Sequence, residues 1–201
     1  HTVTSPMTLN ISSFSNVNDL NKSVTPELSD SDTTLLHLWA HSDKYRLGGS
    51  ALYQSFKLYG GATPDIDDAN QFKVLFEATQ ELLDKDFIEA LHDISDGGLI
   101  TSLIEMALCS NHGLDINLDY SDKEQLVPKL FSEEIGLVIE VKNEKLESVR
   151  NYLNEKELFF ENIAKKNDKK KININCFKEA VFSEDLTTLF NQWSKVSHEI
   201  Q

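Results

Sequence analysis

Basic side chains are scarce in this sequence. Nineteen Lys and Arg stand against 33 Asp and Glu, a formal charge of −14. A surface of that sign opposes nucleic acid and anionic membranes, whose phosphates are held by Lys and Arg. Cysteine is scarcer still: Cys109 and Cys176 are too few for a disulfide scaffold. Cys109 lies in an apolar run with Leu103, Ile104, Met106 and Leu108 and reads as a small hydrophobe of a reduced, intracellular protein. No apolar run approaches the ~18 residues that cross a bilayer. The opening His1-Thr2-Val3-Thr4-Ser5-Pro6 has no initiator Met and no leader of basic then apolar residues, and so reads as the start of a piece cut from a longer chain. What is present, 201 residues at 40% hydrophobic and 26% charged, suits a globular chain with a proper core.

Periodicity then orders the chain. Met7, Leu9 and Ile11 alternate with polar residues as in a half-buried strand over 7–15. Residues 16–31 are an Asn-, Ser- and Asp-rich connection. Strands are expected at Thr34–Trp39, Ile88–Leu91, Leu114–Leu118, Leu137–Val141, Phe159–Ile163 and Ile172–Cys176. Helices are expected at roughly 50–59, from Phe72 to Leu83 behind capping carboxylates at Asp65, Asp67 and Asp68, and from Leu99 to Cys109. Two more follow: one capped by Asn143, and a last one from near Ser183 carrying Leu186, Leu189, Phe190, Trp193, Val196 and Ile200. Strands and helices interleave irregularly, which predicts an α+β domain, a mixed sheet with helices packed on one face.

The strongest chemical signal is His92-Asp93-Ile94-Ser95-Asp96-Gly97-Gly98, a turn between a strand and a helix. Backbone N–H groups at a helix N-terminus attract anions, and glycines let a phosphate approach closely. Mg²⁺ prefers one or two carboxylates plus phosphate oxygens. Asp93 is therefore the candidate metal ligand and Ser95 the candidate nucleotide contact. Plain capping by Ser95 or Asp96 fits the same spacing, and the two readings stay open here.

Gly48-Gly49-Ser50, with Lys44 and Arg46 nearby, repeats the pattern more weakly, and a simple loop-to-helix junction fits it too. Glu133-Glu134 reads as a solvated acidic loop, and Lys165–Lys171 as a solvated hairpin turn. His37 and His41 have the i, i+4 spacing of a metal pair, but on a strand entering a loop the rings would not converge. No Walker A pattern, nucleophile elbow, CxxC or dinucleotide fingerprint is present.

The ordered motifs Arg46-Leu47-Gly48-Gly49-Ser50-Ala51-Leu52, Pro64-Asp65-Ile66-Asp67-Asp68, His92–Leu99, Glu105-Met106-Ala107, Gly113-Leu114-Asp115-Ile116, Phe131-Ser132-Glu133-Glu134-Ile135-Gly136 and Val181-Phe182-Ser183-Glu184 resemble the large single-chain phosphoribosylformylglycinamidine synthases. The resemblance runs over nearly the whole chain and is weakest across 142–177. It implies the AIR-synthase-related C-terminal domain of the second of two synthase repeats, over residues 1–181. Residues 182–201 would then form a helix heading toward a glutaminase domain. It further implies a cytoplasmic, ATP-dependent ligase of purine biosynthesis that takes formylglycinamide ribonucleotide and glutamine, with Mg²⁺ and ATP/ADP as cofactors.

By the same resemblance Asp93 is the Mg²⁺ ligand and Ser95 the nucleotide contact. No catalytic residue is expected within this stretch, and the remaining synthase and glutaminase domains would be its partners. Whether Asp93 and Ser95 would serve a catalytic or a purely structural nucleotide site stays open in the resemblance. Leu35, Trp39 and Phe56 are expected at surfaces facing those other domains.

Overall fold

The computed structural model describes residues 10–17, 19–40, 44–118, 123–177 and 179–200. Seven strands, β1 Thr33–Trp39, β2 Ala90–Asp93, β3 Gly113–Leu118, β4 Gly136–Lys142, β5 Phe159–Asn167, β6 Lys171–Cys176 and β7 Glu179–Asp185, lie in one sheet ordered β2-β4-β1-β5-β3-β6-β7. β3 and β6 run parallel while the other neighbours are antiparallel, so the mixed sheet is as expected. Among the described residues six α-helices accompany it: α1 Ala51–Ser55, α2 Ala69–Asp84, α3 Gly98–Ser110, α4 Leu126–Phe131, α5 Leu146–Glu155 and α6 Leu186–Ile200.

The helices are divided between the two faces, which corrects the one-face expectation. Leu35, Val138, Leu114 and Ile116 share a core with Leu99, Leu103 and Met106 of α3, Leu130 of α4 and Leu189 of α6. Leu36, Leu38, Ile139 and Val141 turn the other way, onto Leu75 and Leu82 of α2 and Val149 and Leu153 of α5. The physical reason is visible in β1, which is buried at every position. An unbroken apolar run such as Leu35-Leu36 is the mark of a strand covered on both faces, not of a half-exposed one. Leu35 and Trp39 are consequently buried, while Phe56 is exposed.

Other differences are local. Of the strand expected over 7–15, residues 7–9 lie outside the description, and residues 10–15 are irregular and exposed. The helix expected over 50–59 stops at Ser55. α4 has no counterpart among the expected helices; Pro128 stands at its third position, where the ring needs no intrahelical N–H partner. Asn143 does not cap α5; its side-chain oxygen accepts from Thr34 Oγ1 at 2.7 Å instead. The helix expected from Ser183 is preceded by β7 and begins at Leu186. Cys109 is exposed, contrary to its core reading, and Cys176 is buried.

One connection is unusual. β5 and β6 are joined only by Asp168–Lys170, yet they are not neighbours: β3 lies between them, with Gly113 opposite Asn167 and Leu114 opposite Ile172. The link crosses so close to the start of β3 that a Cβ on Gly113 would sit 2.6 Å from Lys171 N. Asn167 ties the crossing, donating to Asp115 Oδ1 at 2.9 Å and to the Lys171 carbonyl at 3.0 Å. The lysines of this stretch are not all solvated, since Lys166 pairs with the fully buried Glu140 at 2.9 Å. Glu140 also accepts from Thr33 Oγ1 at 2.6 Å and from the Ser29 amide at 2.8 Å, which pins the connection before β1 to the sheet.

Candidate nucleotide site

β2 delivers the turn. It pairs with β4 from Ala90 opposite Glu140 to Asp93 opposite Leu137, and α3 leaves two glycines later. Asp93 ends β2 with its side chain 70% exposed, 3.4 Å from His92 Nδ1, and Ser95 and Asp96 are exposed as well. The two candidate residues thus project to solvent from one turn. Beside Asp93 runs a small apolar slot of about 200 Å³, walled by Phe72, Phe76, Ile94 and Ile135.

The capping alternative is not what the turn does. Gly97, in the left-handed region at φ +90°, holds the cap position, and no side chain caps α3. The first amides have other partners: Gly97 N–H donates to Glu133 Oε1 at 2.8 Å, and Gly98 N–H to the Ser95 carbonyl at 2.9 Å. The Gly97 amide is therefore taken by a carboxylate of the protein itself. The side chains of Asp93 and Ser95, by contrast, are exposed to solvent. Glycine at 98 is a packing requirement, because φ is +74° and a Cβ would lie 2.7 Å from the Phe131 carbonyl carbon and the Ser132 oxygen.

Glu133 and Glu134 correct the solvated-loop reading. Glu134 is buried and takes Arg46 in a two-pronged grip, Nε at 2.6 Å on one carboxylate oxygen and an Nη2 at 2.7 Å on the other. Arg46 also reaches Asp67 at 3.0 Å and the Asp65 carbonyl at 3.0 Å. The Glu134 hydrogen bond, backed by its charge and that of Asp67, raises the guanidinium pKa above its already high value. Lys44, and then Arg46, hold the Asp67 carboxyl below the usual carboxylate range. Glu133 Oε1 accepts a second amide, that of Ala51, at 2.8 Å. Asp68 is the residue that caps α2, its carboxylate accepting from Asn70 and Gln71.

Three of the sequence motifs thus meet around one acidic pair. Gly48-Gly49-Ser50 and Lys44 do not form a separate anion loop: Ser50 caps α1 and Lys44 is bonded to Asp67 at 2.9 Å. A neighbouring buried group anchors the same loop. Lys129 of α4 is fully buried, 2.6 Å from Glu161, and lies over the rings of Trp39 and Tyr45 at 4.4 and 5.1 Å. His37 bonds Glu161 through Nδ1 at 3.2 Å, and His41 lies outside the described residues. Nothing in the local sequence around Lys129 announces this role; only its place between apolar residues on a helix could have suggested it.

For Mg²⁺ the fit is partial. Asp93 is an exposed carboxylate suited to one ligand position, and among the described residues no group of three or more His, Cys, Asp or Glu side chains is assembled to hold a metal. Asp93 fits as a single ligand in a site completed from elsewhere.

With this geometry in view, residues 39–176 match the family described as AIR synthase related protein, C-terminal domain. The chain belongs to this family. A probable phosphoribosylformylglycinamidine synthase, chloroplastic/mitochondrial, of Arabidopsis thaliana is 36% identical over 201 residues, 99% of this chain. The chain spans only 14% of that relative's length. Among solved structures, T. maritima PurL complexed with FGAR has a TM-score of 0.70 at 18% identity, over 85% of this chain and 30% of the other. E. coli HypE, a hydrogenase maturation protein, has a TM-score of 0.55 at 19% identity, over 82% of this chain and 52% of the other. At these identities the structures speak to the fold alone, and the fold serves more than one protein.

Proposed function

We propose that this chain is one domain of a phosphoribosylformylglycinamidine synthase, the ligase that turns formylglycinamide ribonucleotide, ATP and glutamine into formylglycinamidine ribonucleotide, ADP, phosphate and glutamate. The observation that carries the reading is the 36% identity maintained along 99% of the chain to a synthase. Structures of T. maritima PurL complexed with ATP, ADP and FGAR support a nucleotide as ligand. Within the domain, Asp93 supplies one Mg²⁺ ligand and Ser95 Oγ donates a hydrogen bond to a phosphate oxygen. The bound ion neutralises phosphate charge, which explains how so acidic a chain accepts a polyphosphate.

The remaining ligands, the substrate groups and the glutaminase chemistry come from the partner domains, toward which residues 182–201 lead. Residues 1–181 form the synthase-related unit in this proposal, and the domain is inactive alone. A reduced aqueous compartment, the cytoplasm, completes the reading. Among the described residues no helix is long and apolar enough to cross a membrane.

Asp93→Ala in the full-length enzyme tests the role. A fall in turnover of about a hundredfold or more at unchanged melting temperature is the expected result. Retained turnover with a lowered melting temperature would instead assign Asp93 to a non-catalytic, structural nucleotide site. Unchanged Mg-ADP affinity would remove the residue from any nucleotide site.

A further inference from the structure

We propose that Glu133 is a positioning residue that couples the Leu47–Ala51 loop to the nucleotide turn through a single oxygen. The inference rests on the reading of Asp93 and Ser95 given above, and it adds a control that acts on them from outside the ligand. One carboxylate oxygen, Glu133 Oε1, accepts from Gly97 N–H and from Ala51 N–H, both at 2.8 Å. These donors are 46 residues apart in sequence, from 97 − 51, and belong to different elements, the start of α3 and the start of α1. A carboxylate that accepts two amides forms charge-assisted bonds stronger than neutral ones, and it fixes both donors relative to itself.

Glu133 is itself fixed. The adjoining Glu134 is held by Arg46 through Nε, an Nη2 and the backbone N–H at 2.6, 2.7 and 3.0 Å. Arg46 in turn holds Asp67 just ahead of α2. On the other side, the Gly98 Cα packs directly on the backbone of Phe131 and Ser132.

The nucleotide turn therefore has two restraints on the 131–134 segment: a contact at Gly98 that admits no side chain, and a hydrogen bond at Gly97 that depends on Glu133. Movement of the Leu47–Ala51 loop draws on the same oxygen. When that loop shifts, the shared acceptor is drawn away from Gly97, and the aim of Asp93 and Ser95, four and two residues upstream, shifts with it. Glu133 touches neither metal nor phosphate in this scheme.

Three variants of the full-length enzyme test the coupling, read by amide hydrogen exchange and by calorimetric titration of Mg-ADP. Glu133→Ala is expected to speed exchange in the segments 47–51 and 95–99 without nucleotide, to leave β1 and β5 protected, and to weaken Mg-ADP roughly tenfold. Glu133→Gln keeps an acceptor oxygen in place and is expected to recover binding to within about threefold of the parent.

Ala51→Pro leaves Glu133 and Gly97 intact, removes the distant donor and puts a ring carbon in its place. Position 51 opens α1, where proline is tolerated, and Ser50 at ψ 158° already has the extended backbone that a following proline requires. The ring displaces the carboxylate from the α1 side, so this variant is expected to loosen 95–99 as well. The coupling is overturned by unchanged exchange at 95–99 in Ala51→Pro, by faster exchange throughout the sheet in Glu133→Ala, or by a Gln variant as impaired as the Ala variant. Failure of the nucleotide reading is separate: Asp93→Ala would then leave Mg-ADP affinity unchanged, while exchange in the two segments still decides the coupling.

Discussion

Arg46 braces parts of the chain that local sequence gives no reason to connect. Its guanidinium joins Glu134, 88 residues on, to Asp67, and Glu134 is 3% exposed. Removing the cation leaves a buried carboxylate without its counter-charge. Arg46→Ala is therefore expected to cost about 2–3 kcal/mol in chemical denaturation, below the full value for a buried pair because the Asp67 end is open to water. Arg46→Lys should recover little of this, since an ammonium cannot reproduce the fork.

His37 has a different consequence. Burial, together with the Lys129 charge, holds its pKa below the ordinary 6.5, against the pull of the Glu161 hydrogen bond. The unfolded chain then takes up a proton near that pH before the folded one does. Stability is whole above 6.5 and declines as pH falls through it toward the lower folded value. The melting temperature of the parent should drop as pH falls below 6.5, and His37→Gln should flatten that slope. At this scale the turn that carries Asp93 and Ser95 is legible because strand, turn and helix follow one another in sequence. Glu133 and Glu134 are not, since adjacent acids look alike whether solvated or gripped by a distant arginine.

The elements were legible where periodicity is strong and uninterrupted. β1, α2, α3 and the alternation of β3 and β6 are readable from apolar spacing alone. α4 is hidden by Pro128, and β7 by the mixture Glu179-Ala180-Val181-Phe182-Ser183-Glu184-Asp185, exposed at nearly every position and lying on a sheet edge. An edge strand with one paired side needs no apolar stripe of its own. The junction of β2 and α3 carries the sharpest element-level expectation. Gly98→Ala combines a positive φ with a Cβ 2.7 Å from backbone, and should lower stability by about 2–4 kcal/mol. Denaturant midpoints would register this, and a variant as stable as the parent would contradict the close packing of α3 on the 131–132 backbone.

For the molecule as a whole, mixed α+β character was readable from interleaved patterns, whereas the placement of helices on both faces required three-dimensional register. A charge of −14 spread over the surface repels itself, and salt screens that repulsion. The melting temperature is accordingly expected to rise between about 0.02 M and about 0.5 M NaCl; a fall would mean that ion pairs such as Arg46–Glu134 outweigh the general repulsion. The crossing of Asp168–Lys170 over Gly113 has a kinetic meaning. A short link between two strands favours their closure into a hairpin within microseconds, yet β5 and β6 must stay apart to admit β3. The fastest local pairing in this region is thus a wrong one, and the native arrangement requires β3 to be waiting when β5 and β6 arrive. Synthesis from the N-terminus supplies that order, because residues 113–118 leave the ribosome before 159–176. Refolding from denaturant does not, and should show a slow phase that ribosomal synthesis avoids.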